Sequence, residues 1–142
     1  MIDSLTIALS GLKANKDRAN VAADNIANVT TAGSIPGAVV DQPKDVFIPS
    51  RVEQVSLTTY NPDGSVRGAG VRTEVAKIDP GYQIAPDASA SYADENGLVA
   101  VPDVDLATEI VNLKLASTLF KANIKVIEAT QEMTDALLDI ET

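Results

Sequence analysis

The N-terminal part of the chain carries apolar residues at alternating steps of three and four, with one basic interruption. Such spacing places them along one face of an α-helix and is typical of a helix that packs against another helix. The Asn, Thr, Gly and Pro residues that follow position 28 stop helices. The pattern therefore predicts an N-terminal assembly helix within residues 1–32, whose line is Ile2, Leu5, Leu9, Leu12, Lys16, Ala19, Ala23 and Ile26.

The C-terminal part repeats this rhythm and contains no Gly or Pro after Pro102. It predicts an assembly helix within residues 103–142. The main line is Leu106, Ile110, Leu113, Ser117, Phe120, Ile124, Ile127, Gln131, Thr134 and Leu138. A second apolar line broadens the face, as expected of a helix that contacts more than one neighbour. That second line is Leu119, Val126, Met133, Leu137 and Ile140.

The middle of the chain, residues 33–102, predicts a small β-rich insert. Apolar and polar residues alternate on both sides of the tetrapeptide Asn61–Gly64, whose Pro and Gly favour a tight turn. This indicates a β-hairpin near residues 52–78. Two further short strands are predicted near Val46–Ile48 and Leu98–Val101.

These elements predict an α+β fold: two long terminal helices form an antiparallel, coiled-coil-like pair around a small β-rich inserted domain. At about 1.5 Å per residue, the first helix is roughly 35–40 Å long and the second roughly 55 Å. The longer helix therefore leaves apolar surface uncovered within one chain. Because exposed apolar surface favours association, the pattern predicts assembly with other chains.

Composition and charge remove several functional classes. The net charge of −9 argues against binding nucleic acid or an anionic lipid surface. The chain has no Cys and no His, so it lacks thiolate chemistry, the commonest general base and the commonest metal ligands. We therefore predict a protein that is not an enzyme and uses no cofactor or metal.

Targeting signals are also absent from the sequence pattern. No run of about 18 apolar residues predicts a membrane span. The first residues include Asp3 and lack a basic start, so they do not predict a cleavable signal peptide.

Acidic residues before the second helix are the best candidates for chemistry. Asp94, Glu95, Asp103 and Asp105 could form paired carboxylates or a Ca²⁺ site, but their spacing fits neither an EF-hand nor a known catalytic pair. Asp103 or Asp105 is better placed to cap the second helix.

Four asparagines lie within the predicted helices, where Asn has no local advantage. Their amides donate and accept hydrogen bonds at once, so they can fix the register between packed helices. For Asn25 and Asn28, fraying of the helix end is an equal alternative. The other two are Asn20 and Asn123.

Three segments resemble the proximal rod FlgC family of flagellar axial proteins, the rod and hook group. Residues 18–28 end in Asn-Ile-Ala-Asn, followed closely by Thr and Gly. Residues 93–112 contain Ala-Asp-Glu-Asn-Gly and Pro-Asp-Val-Asp. Residues 116–123 read Ala-Ser-Thr-Leu-Phe-Lys-Ala-Asn. Against the family pattern, Leu98 and Phe120 replace Tyr, Asp103 replaces Asn, and Thr118 replaces Arg. The resemblance covers both helices and leaves the middle of the insert poorly matched.

The resemblance implies a structural subunit of the bacterial flagellar basal-body rod, which crosses the periplasm and transmits torque. Its implied partners are copies of itself, other rod proteins and the flagellar export apparatus, which exports such subunits without a cleaved signal peptide. The alternative is a non-enzymatic binding module, with a helical dimerisation element and an insert that recognises a partner. The predicted subunit interface comprises Leu5, Leu9, Leu12, Asn20, Asn25, Ile26, Asn28, Leu106, Ile110, Leu113, Phe120, Asn123, Ile124, Ile127 and Leu138.

Overall fold

The computed structural model describes the backbone of Ile2–Ile140 and the side chains of residues 4–139. The side chains of Ile2 and Ile140, which the sequence pattern places on apolar lines, lie outside the described residues. In chain order the elements are α1 (Ile2–Ala27), β1 (Ser50–Tyr60), β2 (Val66–Lys77), β3 (Tyr82–Pro86), β4 (Leu98–Pro102) and α2 (Leu106–Ile140).

The two helices pack against each other and run in opposite directions. Gly11 of α1 lies against the side chain of Asn123 of α2. Further along α1, Asn25 donates a hydrogen bond to Glu109, which lies near the start of α2. Since the later residue of α1 meets the earlier residue of α2, the pair is antiparallel. The predicted α+β fold with two terminal helices is confirmed.

The insert contains two separate two-stranded sheets. Strands β1 and β2 flank the predicted turn, in which the Asn61 N–H donates to the Ser65 carbonyl at 2.9 Å and Gly64 has a φ of +81°. Strands β3 and β4 are antiparallel, with Tyr82 opposite Pro102 and Pro86 opposite Leu98. The predicted hairpin and the predicted strand at Leu98–Val101 are therefore present.

The strand predicted at Val46–Ile48 is wrong. This stretch has no regular structure, and the Phe47 N–H instead donates to the Thr31 carbonyl at 3.1 Å. Pro43 and Pro49 stand on either side of it, and proline cannot donate to a sheet ladder. The partner of β4 is β3, which the sequence pattern does not identify.

The chain divides into two compact units, and each draws on the N-terminal, middle and C-terminal parts of the sequence. The first unit combines α1 up to Asn20, the hairpin over Val52–Glu74, and α2 from Asn112 onward. The second combines Val21–Arg51 with Val75–Val111. The division into segments 1–32, 33–102 and 103–142 stays a prediction.

The buried apolar core is small. Monomers of 14.8 kDa usually expose about 7,000 Å² of surface, whereas this chain exposes 9505 Å². Among the described side chains, the buried apolar ones are Ala8, Ala14, Ala22, Val99, Ala100 and Ala116.

The two candidate acidic caps have different roles. Asp105 caps α2, because its Oδ1 accepts from the backbone N–H groups of Ala107 at 3.0 Å and Thr108 at 3.4 Å, and its Oδ2 accepts from the Thr108 hydroxyl at 2.7 Å. The Thr108 hydroxyl is the main cause of the lowered pKa of Asp105. Asp103 instead accepts from the side chain of Gln83.

Candidate subunit interface

The buried face of α1 consists of small and polar residues, not of the predicted leucine line. These residues follow the same alternating steps but lie one position earlier, which is a rotation of about 100° around the helix. Leu5 and Leu9 of the predicted line are 41% and 61% exposed. The buried or half-buried positions on this shifted line are Ala8, Gly11, Asn15, Arg18, Ala22 and Asn25, and Ala14 beside them is also buried.

Close approach of the helices explains why small residues occupy this face. A Cβ atom added to Gly11 would lie 2.6 Å from Oδ1 of Asn123. Asn123 donates to the Leu119 carbonyl at 2.8 Å, and Asn15 donates to the Gly11 carbonyl at 2.8 Å, so both amides are held against their own helix. A leucine at position 11 would have no room.

The inner seam of α2 is also offset from its predicted line. Four residues belong to both, whereas Ile110 and Leu138 of the predicted line are exposed. The four shared residues are Leu113, Phe120, Ile127 and Thr134. The inner seam is thus rotated around the α2 axis by about 50° from the predicted line, which is half of the 100° between successive residues. Within the first unit it consists of Leu113, Ala116, Phe120, Asn123, Ile127, Thr130 and Thr134.

A second heptad pattern on α2 lies about a third of a turn round the helix from the inner seam. We call it the outer stripe, and all of its residues are exposed. Val126 and Met133, for example, are 47% and 56% exposed. The outer stripe consists of Leu115, Leu119, Ala122, Val126, Ala129, Met133 and Ala136.

The hairpin contacts α1 mainly through hydrogen bonds. The Ser10 hydroxyl accepts from the Val71 N–H at 3.1 Å. The Thr73 hydroxyl donates to Asp17 at 2.5 Å, and Arg18 donates to the Gln54 side chain at 2.6 Å. These three hydrogen bonds join β1 and β2 to α1.

Glycine permits the closest point of that contact. Gly70 has a φ of +101°, and a Cβ there would overlap the Ser10 hydroxyl. Beside it runs a groove of about 430 Å³ with Gly11, Ala14, Leu57 and Leu119 among its lining residues. Leu119 also belongs to the outer stripe, so the groove and the stripe form one continuous apolar surface in the first unit.

In the second unit, the Asn25 side chain is fully buried and joins three elements. Its Nδ2 donates to the Ser50 carbonyl at 2.9 Å and to Oε1 of Glu109 at 2.7 Å, and its Oδ1 accepts from the Ser50 N–H at 3.0 Å. The amide therefore pairs with the first residue of β1 as a neighbouring strand would. It fixes the end of α1 against β1 and the first turns of α2.

The other predicted interface residues take different positions. Asn28 donates to the Asp24 carbonyl at 2.9 Å and so closes the end of α1. Asn20 is exposed, as is Leu106. Three more are half-buried, namely Leu12, Ile26 and Ile124. Whether they contact neighbouring subunits stays a prediction.

Sequence reasoning missed Ser10, Asp17 and Ser50, which take part in the hydrogen bonds between the insert and α1. It also missed Glu109, which joins α2 to Asn25 of α1. One available signal was the line of small and polar residues at Ala8, Asn15 and Ala22, each seven positions apart. Hydrogen-bond partners far apart in the sequence left no comparable signal.

Neither a cluster of metal ligands nor a membrane-spanning helix is found in the described part of the chain. No group of three or more His, Cys, Asp or Glu residues converges there. Neither α1 nor α2 combines the length and apolar character needed to cross a bilayer.

The sequence is similar to flagellar rod proteins along nearly its whole length. A family model described as the C-terminal region of the flagellar basal body rod FlgEFG proteins matches residues 95–140. The flagellar basal-body rod protein FlgC of Borreliella burgdorferi is 30% identical, covering 99% of this chain and 97% of that protein.

Two other relatives with the same description extend this similarity to distant bacteria. The FlgC protein of Salmonella typhimurium is 29% identical over 94% of this chain and 92% of its own length. The FlgC protein of Bacillus subtilis is 29% identical over 96% of this chain and 95% of its own length. The resemblance found in three segments therefore extends over the whole fold, and the chain belongs to the FlgC family of flagellar basal-body rod proteins.

Proposed function

We propose that this chain is a structural subunit of the bacterial flagellar basal-body rod and joins its neighbours through its two terminal helices. One observation carries the proposal: small and polar residues form the buried face of α1, while large apolar residues such as Leu9 on α1 and Val126 and Met133 on α2 remain exposed. Exposed apolar stripes on a soluble chain mark surfaces that other chains cover. Whole-length similarity to FlgC proteins supports the same role.

The partners we propose are copies of this chain and other rod proteins. The surface offered to them includes Leu5 and Leu9 on α1 and Ile110 and Leu138 on α2, which are exposed. Covering a half-exposed leucine contributes about 1 kcal/mol, so many such contacts spread along two helices give a firm assembly. A load spread over many contacts suits the transmission of torque.

Asn25 differs from the other predicted interface residues. Its side chain is fully buried, and its amide hydrogen bonds are made within the chain. We therefore propose that it positions the interface by holding the end of α1, and that its neighbours on the surface make the contact.

Several further features belong to the same proposal. We expect delivery by the flagellar export apparatus without a cleaved signal peptide, a location in the rod, and no insertion into the membrane. We also expect no catalytic activity, cofactor or metal, since the sequence contains neither His nor Cys.

Deleting the gene tests the assignment directly. We expect loss of swimming, basal bodies without a complete rod by electron microscopy, and antibody label on wild-type rods. Normal swimming with unlabelled, intact rods would favour the alternative of a binding module.

Leu9→Asp tests the exposed α1 line. Leu9 is 61% exposed, so the isolated chain should keep its helical circular dichroism while failing to restore rods in the deletion strain. The matched control is Lys13→Asp, which is also exposed, introduces the same helix-disfavouring residue and changes the charge more. Equal assembly by both variants would remove α1 from the interface.

A further inference from the structure

The loop of residues 34–44, between α1 and β1, is closed at its base by two hydrogen bonds, and we call it the pinched loop. The Ser34 N–H donates to the Lys44 carbonyl at 2.7 Å, and the Lys44 N–H donates to the Ser34 hydroxyl at 3.0 Å. Within the loop, the Ala38 N–H donates to the Ile35 carbonyl at 3.0 Å. Loops whose ends are joined in this way are compact and frequently carry function.

The tip of the pinched loop is apolar and exposed. Val39 is 89% exposed, and none of the large apolar side chains in the described part of the chain is more exposed. It stands between Ala38 and Val40, and residues 35–40 carry no charge. Because such a side chain buries almost no surface within its own chain, it is available for burial by another chain.

The first unit carries an apolar groove that can receive such a tip. This is the groove of about 430 Å³ beside the contact between α1 and the hairpin. Ile7, Leu57 and Leu119 line it with apolar side chains that are exposed. Its volume lies within the range of about 300–1,000 Å³ that is usual for binding pockets.

We propose that, in the assembled rod, the pinched loop of one copy inserts Val39 into the groove of the next copy. The inference rests on the proposed function, because it names a contact inside the rod. The loop and the groove are different parts of the surface, so each copy offers its loop to one neighbour and its groove to another. Contacts of this head-to-tail kind continue from copy to copy around a ring or a helix.

Charge complementarity favours a second copy as the occupant of the groove. Asp41 follows the apolar tip and is the only charged residue in 34–43. Arg18 is the only charged residue among the described residues that line the groove. Arg18 donates to the Gln54 side chain at 2.6 Å, and its guanidinium has five N–H donors, so it can also bind the Asp41 carboxylate of the next copy.

The contact is too small to hold two free chains together. One loop tip covers much less than the roughly 1,200 Å² that a stable protein–protein interface buries. The free chain should therefore stay monomeric. The loop enters the groove only where the helices already hold neighbouring copies side by side, because the local concentration of the loop is then high.

Disulfide crosslinking in purified basal bodies tests the contact, since the chain has no cysteine of its own. The double variant Val39→Cys with Leu57→Cys, expressed in the deletion strain, should give a ladder of crosslinked oligomers after oxidation. Reduction should remove the ladder. Either single variant should stay monomeric on the gel, because each bond joins one cysteine of the loop to one cysteine of the groove.

Val39→Cys with Tyr60→Cys is the matched control. Tyr60 is exposed on the same strand as Leu57 but lies about 10 Å further along it, whereas a disulfide joins Cα atoms less than about 7 Å apart. Basal bodies that contain the double variant without a ladder, or an equal ladder with Tyr60→Cys, would overturn the insertion and leave the rod assignment intact. Absence of the wild-type chain from basal bodies would instead overturn the proposed function.

A second pair of variants tests the same contact without a crosslink. Val39→Asp should lower the fraction of basal bodies with a complete rod about tenfold, because burying a valine strengthens a contact by about that factor. Gln42→Asp introduces the same residue at another exposed position of the pinched loop and should assemble like the wild type. Equal assembly by the two variants would overturn the insertion.

Discussion

The buried amide of Asn25 gives the sharpest test of how the helices are held, through the substitution Asn25→Asp. The new carboxylate matches the amide in shape but replaces its donor by an acceptor. That oxygen would face the Ser50 carbonyl, now 2.9 Å from Nδ2, and the Glu109 carboxylate, now at 2.7 Å. Two hydrogen bonds become repulsive contacts at a site with no exposure to solvent.

The size of the effect follows from those contacts. Losing a hydrogen bond to a neutral group costs about 1 kcal/mol, and losing one to a charged group costs about 2 kcal/mol. Burying a charge without a partner adds to this, so we expect a loss of about 4 kcal/mol at neutral pH. Since whole domains are stable by only about 5–15 kcal/mol, the second unit should unfold at much lower urea concentration.

The loss should also depend on pH. Burial and the neighbouring Glu109 carboxylate raise the pKa of the introduced Asp above its unfolded value of about 3.9. A group with a raised folded pKa stabilises the fold below the unfolded pKa, and this contribution is lost as pH rises through the folded pKa. Asn25→Asp should therefore be least harmful in acid.

Urea unfolding followed by circular dichroism measures both effects. Asn20→Asp is the control, because Asn20 lies on the same helix and is exposed, so it should change stability by less than about 0.5 kcal/mol. Equal unfolding curves for the two variants, at neutral pH, would refute the role given to Asn25.

Two further substitutions test other contacts. Gly33→Ala should destabilise the second unit by about 2–4 kcal/mol in the same urea assay, because the Cβ of the new alanine would overlap the Lys44 carbonyl oxygen. That oxygen belongs to the backbone, which cannot move aside as a side chain can. An unchanged urea midpoint would contradict this prediction. Asp105→Ala should lower the urea midpoint by removing the cap of α2. Since the Thr108 hydroxyl lowers the pKa of Asp105, the difference from wild type should be fully present above the unfolded pKa of about 3.9 and be lost as pH falls through the lower folded pKa. A pH-independent difference would contradict the capping role.

Local patterns in the sequence were sufficient for the two helices, the β1–β2 hairpin and β4. The three-four rhythm predicts both helices, and Asn61–Gly64 predicts the turn between β1 and β2. Helical periodicity and turn preferences depend on residues close together in the chain, so they can be recognised without the structure. The partner of β4 could not be recognised in this way, because β3 is a short strand that follows Pro80 and ends at Pro86.

The sequence by itself determined the two helices, the hairpin and the family, because each rests on residues near one another in the chain. Only the tertiary structure decided which side of each helix faces inward. Leu9 lies on the predicted leucine line of α1 and Ala8 on the neighbouring line of small residues, and by periodicity alone either line could face inward. The close approach of the helices at Gly11 and the hydrogen bonds from the hairpin select the line of small residues. The partners of Asn25 are 25 and 84 residues away, and such pairings exist only once the chain has folded.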